Sequence, residues 1–341
     1  MSRTDLKSLS LPDLETFFKD SGLPAFRARQ FLHRTYEKYA RSIKDITGFS
    51  KDTRERLSQK AYISNLELLD RRTSGDGTEK FLFGLEDGES IEAVLIPDED
   101  RLTLCISTQV GCAMGCGFCL TGTLGLKRNL EPHEIADQVI SANRLIAPVK
   151  ITNIVLMGMG EPLANFGNVC EALRRITEFM NISAGRITLS TSGLAPKILE
   201  LPKHAPLVNL AVSLNATTDE VRDRIMPVNK TYPLKVLLDA CRKFPLPRRR
   251  RITFEYVLLK GVNDTPEDAK RLVKLLRGIP SKVNLIPFNP CEGPEFERPE
   301  DKRVSDFRNI LLDANMTALI RKSKGRDILA ACGQLKAKCK E

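Results

Sequence analysis

From residue 102 onward the chain alternates two kinds of segment, and few architectures accept that order. Seven short runs are rich in β-branched and other apolar residues: LTLCIST, ITNIVLMG, RITLSTS, VNLAVSL, ITFEYVLL, KVNLIPF and MTALIR. Amphipathic stretches suited to helices fall between most of them, at 131–145, 166–181, 233–243, 265–277 and 299–314. A strand that runs parallel to its predecessor needs a crossover of about a dozen residues or more, usually a helix. Repeated βα units of this kind predict an α/β fold with a parallel sheet, open or closed into a barrel.

The first hundred residues read differently. Apolar stripes recur there at helical spacing, with Leu11, Leu14, Phe17 and Phe18 in one and Ala28, Phe31, Leu32 and Tyr36 in the next. Between the stripes lie Lys19, Arg27, Arg29 and Arg34, a basic face that is either simply solvated or meets RNA phosphates. The stretch KFLFGLEDGESIEAVLIP then predicts a β-hairpin turning at Asp87-Gly88. On its second strand Glu92 shares a face with Val94 and Ile96, so a covered face would set this carboxylate in apolar company. The expected division is a helical accessory unit at 1–75, a connecting hairpin at 76–100 and the α/β unit at 101–341.

Lys and Arg number 53 against 43 Asp and Glu, a net charge of +10. That excess favours a polyanionic partner such as nucleic acid, although a plain basic soluble protein shows it too. MSRTDLKSLSLPDLETFF has no apolar core of a secretory signal, and no apolar run is long enough for a membrane span. A cytoplasmic protein is expected. Nine cysteines without such a signal suit thiols kept reduced, some of them for metal or redox chemistry.

The stretch GCAMGCGFC sets Cys112, Cys116 and Cys119 at C-x3-C-x2-C, in a Gly-rich loop just after the first strand-like run. Glycines let such a loop wrap closely around an inorganic core. Structural zinc and ordinary iron–sulfur clusters take four protein ligands. Three thiolates on a [4Fe–4S] cluster leave one iron open to a substrate. The alternative is a zinc ion completed by a distant residue; the chain has only three histidines, none beside the loop.

Small or polar groups end the later runs: GMGEP from Gly158 to Pro162, STSG from Ser190 to Gly193, SLN from Ser213 to Asn215, and PFNP from Pro287 to Pro290. The C-terminal ends of strands form the rim where α/β barrels bind ligands. Each motif alone reads equally well as a helix cap. Four in order behind the cysteine loop are much harder to explain that way.

The arrangement resembles the radical S-adenosylmethionine (SAM) superfamily. Within it, LCISTQVGCAMGCGFCLTG, GMGEPL, LSTSG, SLNATTDEVRDRIMPVNK and AACGQL resemble the adenine-C2 methyltransferases of bacterial 23S rRNA and tRNA, from about Glu92 to Leu335. The resemblance implies a partial (βα) barrel, a [4Fe–4S] cluster on Cys112, Cys116 and Cys119, and SAM chelated by the open iron. It implies SAM contacts at Gly160, Glu161, Ser190, Ser213, Leu214, Asn215 and Asn289; Asn215 stands where some relatives carry His. It further implies that Cys332 carries the methyl group as S-methylcysteine, that Glu92 accepts the adenine C2 proton, and that Cys105 resolves the covalent adduct through a transient disulfide. Burial among apolar side chains would raise the Glu92 pKa and suit it to that role.

The partners implied are 23S rRNA, tRNA and an electron donor such as flavodoxin or ferredoxin, with a monomer expected. The related adenine-C8 rRNA methyltransferase shares much of the pattern and is the alternative enzyme. A non-catalytic iron–sulfur or zinc RNA-binding protein would need neither Cys332 nor Cys105. Arg248 to Arg251, expected at the base of the barrel or on an adjoining face, and RKSKGRD, from Arg321 to Asp327, are candidate phosphate contacts. Cys170, Cys241, Cys291 and Cys339 match no motif and read as core or surface thiols.

Overall fold

A computed structural model describes residues 3–290 and 295–337; Cys291 and Cys339 lie outside the described residues. Its main sheet has ten strands, numbered in chain order: β1 Glu67–Thr73, β2 Glu79–Gly84, β3 Ser90–Asp98, β4 Arg101–Cys105, β5 Asn153–Leu156, β6 Ile187–Thr191, β7 Asn209–Ser213, β8 Ile252–Leu258, β9 Ser281–Pro287 and β10 Ala318–Ile320. Each strand lies beside the next in chain order, from β1 at one edge to β10 at the other. β1 to β4 pair antiparallel, and β4 to β10 pair parallel. The seven strand-like runs are these parallel strands.

The sheet's interior is apolar, with Leu104, Ile154, Leu189, Val212, Phe254 and Leu285 almost fully buried. Crossover helices form where caps meet apolar periodicity. Pro266–Leu276, for example, starts on a Thr265–Asp268 capping box with Pro at the first turn. Two helices escaped the sequence reading, Ala195–His204 and Asp219–Ile225. Pro202 lies inside the first and reads as a breaker, yet Ile198 and Leu201 anchor that helix in the core.

The N-terminal helices Leu11–Asp20, Arg27–Tyr36 and Lys51–Lys60 close around Phe18, whose ring meets Phe31 and Phe49 edge-on at 6.0 and 5.9 Å. Buried polar contacts join this unit to the α/β unit. Lys7 Nζ, wholly buried, sits 2.6 Å from Asp137 Oδ1, and Arg175 donates to the carbonyls of Lys7 and Leu9.

Candidate active site

After β4 the chain makes a short antiparallel ladder, Gln109–Cys112 against Gly125–Asn129, and the loop between its strands carries Cys116 and Cys119. Gly111 makes this close pairing possible. Its φ is +80°, and a Cβ there would lie 1.9 Å from the Gly125 carbonyl oxygen. Burial pushes the Cys112 thiol up to about 11 and raises Cys116 as well, and the neighbouring cysteines add to both shifts. All three cysteines line a cavity with room for about 170 Å³. Among the described residues, no three His, Cys, Asp or Glu side chains are gathered as a single metal ion would need them.

The rest of that cavity is the C-terminal rim of the sheet. Gly160 and Glu161 follow β5, Ser190 ends β6, Ser213 and Asn215 end β7, and Asn289 follows β9; all line the cavity. Leu214 turns the other way and is fully buried in the core. Glu161 binds two loops together: its Oε1 accepts from Leu163 N at 3.0 Å, and its Oε2 from Ser192 N at 2.6 Å. Burial raises its carboxyl despite those bonds. Asn215 adopts φ +56° and is held by a bond from Val257 N to its Oδ1 at 2.8 Å.

Sequence reasoning missed three residues that build this rim, Gln109, Arg222 and Glu255. Gln109 Oε1 accepts from Glu161 N at 2.8 Å, so the GMGEP loop hangs on the cysteine-bearing ladder. Arg222, fully buried, donates to the carbonyls of Leu214, Ser192 and Ser213 and to Asn229 Oδ1. Burial pushes its guanidinium down to about 10. Glu255 lines the cavity too, as does Ser192 of the STSG motif. Arg222 sits in DEVRDRIMPVNK, a charged run that reads as solvated when no partner is in view.

Cys332 faces the cavity, where its thiol is open to the cleft yet walled by protein, and burial raises it. Burial pushes the thiol of Cys105, at the end of β4, up to about 12, and Cys332 is near enough to add to that rise. Glu92 is buried outside the cavity wall, and its surroundings differ from the apolar company expected. Lys80 Nζ lies 2.9 Å from its Oε1, while its Oε2 accepts from Lys336 N at 2.7 Å, in the segment that carries Cys332. Lys80 pairs with Val94, one diagonal step from Glu92, a neighbour that alternation along one strand does not reveal.

A parallel sheet with three cysteines and four polar strand ends around one cavity defines a radical SAM enzyme. Residues 106–276 match the model of the radical SAM superfamily, and residues 4–63 match the ribosomal RNA large subunit methyltransferase N-terminal domain. The chain belongs to the RlmN family of dual-specificity RNA methyltransferases. It is 56% identical to the Pelobacter propionicus member over 98% of this chain and 96% of that one. It is 55% identical to the Geobacter sulfurreducens member over 98% and 92%. A radical SAM methyltransferase from Sphaerobacter thermophilus superposes with a TM-score of 0.93 at 43% identity, covering 98% of this chain and all of that one. No helix among the described residues is long and apolar enough to cross a membrane.

Membership of the superfamily implies SAM and a [4Fe–4S] cluster, and the residues present fit both. Three thiols line the cavity, and Asn289 Oδ1 is buried on its wall without a hydrogen-bond partner among the described residues. Gly160 keeps the wall thin: a Cβ there would meet Gln109 Cβ at 2.6 Å.

Proposed function

We propose that this chain methylates C2 of an adenine in the peptidyl-transferase region of 23S rRNA and C2 of the adenine next to the anticodon in some tRNAs, with Cys332 as methyl carrier. The observation that carries this reading is the Cys332 thiol on the wall shared with Cys112, Cys116 and Cys119. Bound there, a [4Fe–4S] cluster on those three cysteines and SAM along Gly160, Glu161, Ser190, Ser213, Asn215 and Asn289, with Leu214 contributing through its backbone, would supply a methyl group and a hydrogen-abstracting radical.

Adenine C2 has no lone pair with which to attack a methyl group, so a thiol has to carry the carbon. Cys332 takes the methyl as a thiolate, loses one hydrogen from its S-methyl group, and bonds to C2 through the resulting S–CH2 carbon. Glu92 accepts the C2 proton, and the adduct's unpaired electron would return to the bound cluster. The Cys105 thiolate then attacks the Cys332 sulfur; the sulfur–methylene bond breaks, its electron pair stays on carbon and takes up a proton, and methylated RNA leaves with a disulfide behind it. Arg321 favours the thiolate form of both cysteines, countering their burial. The exposed Arg321 and Lys322 follow β10 at the same rim and suit RNA phosphates. Arg248 to Arg251 precede β8 at the opposite end of the sheet, where Arg250 and Arg251 bond to Leu207 O and Thr317 Oγ1. The helical unit at 1–75 is the further RNA contact, the enzyme works as a cytoplasmic monomer, and a flavodoxin or ferredoxin supplies electrons.

Cys105→Ala tests the carrier. The variant should be isolated with RNA attached, and nuclease treatment should leave a nucleotide on Cys332, whereas Cys332→Ala should carry none. A Cys105→Ala protein free of RNA and fully active overturns the mechanism. Nucleoside mass spectrometry of rRNA and tRNA from a strain lacking the protein should show loss of 2-methyladenosine; loss of the 8-methyl isomer overturns the position.

A further inference from the structure

One carboxylate on the cavity wall has no part in the mechanism so far. Glu255 lies on β8, in register with Ser213 on β7 and Asn284 on β9, so three polar side chains form one row across the rim. It is 7% exposed, lines the same cavity as Cys332, and accepts a bond from Asn284 Nδ2 on Oε1 at 3.0 Å. A carboxylate this deep in a sheet is costly to keep unless it is paired or used.

Burial raises the Cys332 thiol most. Among the charges around it Glu255 comes first and raises it further, Arg321 lowers it, and Cys119 adds a smaller rise. Arg321 acts on Glu255 as well, as does Lys282, while burial raises the Glu255 carboxyl. A thiol that must become a thiolate therefore shares its cavity wall with a buried carboxylate, and one cation, Arg321, acts on both. A buried base of raised affinity is better matched to a thiol than an ordinary exposed carboxylate.

We infer that Glu255 is the base that takes the Cys332 thiol proton when Cys332 receives its methyl group, a step that rests on the methyl-carrier reading above. The S–H bond breaks and its proton passes to Glu255. The Cys332 sulfur forms a bond to the methyl carbon as the methyl–sulfonium bond breaks, and the departing thioether keeps that electron pair. No oxidant or reductant enters. Glu92 and Glu255 then divide the proton work, one serving the RNA carbon and the other the enzyme's own sulfur.

Thiol alkylation tests this with or without cofactors bound. Iodoacetamide modification of unmethylated Cys332, followed by peptide mass spectrometry from pH 6 to 9, reads how the thiol loses its proton. If Glu255 takes it, the wild-type rate should change little between pH 6 and 8, because the proton stays within the pair. Glu255→Gln should fall about tenfold per pH unit and run about 10²-fold slower at pH 6.5, the usual contribution of a positioned base. Glu255→Asp should keep the shallow profile.

A carboxylate that merely repels the thiolate predicts the reverse, since its removal would speed alkylation; a Glu255→Gln rate equal to or above wild type at every pH overturns the assignment. The wild-type profile decides even if a variant does not fold, because a tenfold change per pH unit down to pH 6 means that water takes the proton. Transfer of isotopically labelled methyl from SAM to Cys332 should slow in the same proportion in Glu255→Gln. If wild-type Cys332 never takes the label, the carrier reading fails, and the alkylation profile still judges Glu255.

Discussion

The cavity has two walls built on opposite principles. The rim of β5 to β7 is held from behind by buried charge: Arg222 spans Ser192, Ser213 and Leu214, and Glu161 ties its own loop to Ser192. The wall that carries Cys332 is held largely from outside. Ser74 Oγ and Gly75 N donate to Asp327, Gly325 N donates to Asp76, and Lys80 reaches Leu329 O. Closer in, Gly333 O accepts from Leu120 N at 2.8 Å, and Leu335 O from Thr121 Oγ1 at 2.7 Å. Single, partly buried hydrogen bonds such as these outer ones are replaced by water at modest cost, whereas a fully buried guanidinium leaves several partners unsatisfied when lost. The contrast assigns rigidity to the cofactor side and local opening to the thiol side.

Breaking the rigid wall should have the largest effect. Arg222→Met strands three carbonyls and should lower stability by about 3 kcal/mol or more, read from the urea midpoint at unchanged slope. A loss below about 1 kcal/mol would erase the difference between the walls. Glu92→Gln comes next, because Glu92 touches the thiol wall through Lys336. Radical formation and addition to RNA should persist while turnover drops about 10²-fold at proton removal. Methylation at the wild-type rate would leave Glu92 as a structural anchor only.

The smallest effect sharpens the outer hold. Burial pushes the Asp76 carboxyl up, but bonds from Thr78, Gly325 and Ser74 outweigh it and hold the group at about 2. A depressed carboxyl stabilises above its ordinary value near 3.8 and loses that contribution as pH falls towards about 2. Hydrogen exchange at 321–337, compared with Asp76→Asn at each pH, should show the wild-type advantage at pH 5 fading between about 4 and 2. An advantage that persists at pH 2 would mean that Asp76 does not hold this segment.

Local signals made most of this legible. Cysteine spacing, strand ends and the Asp87-Gly88 turn are written in contiguous residues, and ten of the thirteen residues singled out line one cavity. The Leu214 side chain lies in the core and not on the cavity wall, since alternation turns every second residue of a strand end inward. Arg222, Gln109 and Glu255 act across loops that meet only after folding, so no window of sequence shows their partners. The Lys80–Glu92 pair was hidden for the same reason, although the hairpin register itself was readable. Helix Ala195–His204 was lost to the two prolines within it, whose local cost the core outweighs.

The strict neighbour order of the sheet has a consequence for synthesis. Each strand can dock on the one just made, so the sheet can grow from β1 towards β10 as the chain emerges, without waiting for distant partners. Cys332 follows β10 and is added after every other wall of the cavity. A nascent chain thus has Cys112, Cys116, Cys119 and most of the rim before it has Cys332. With Cys332 as the proposed methyl carrier, a partly made enzyme has no means of trapping an RNA that it could not release.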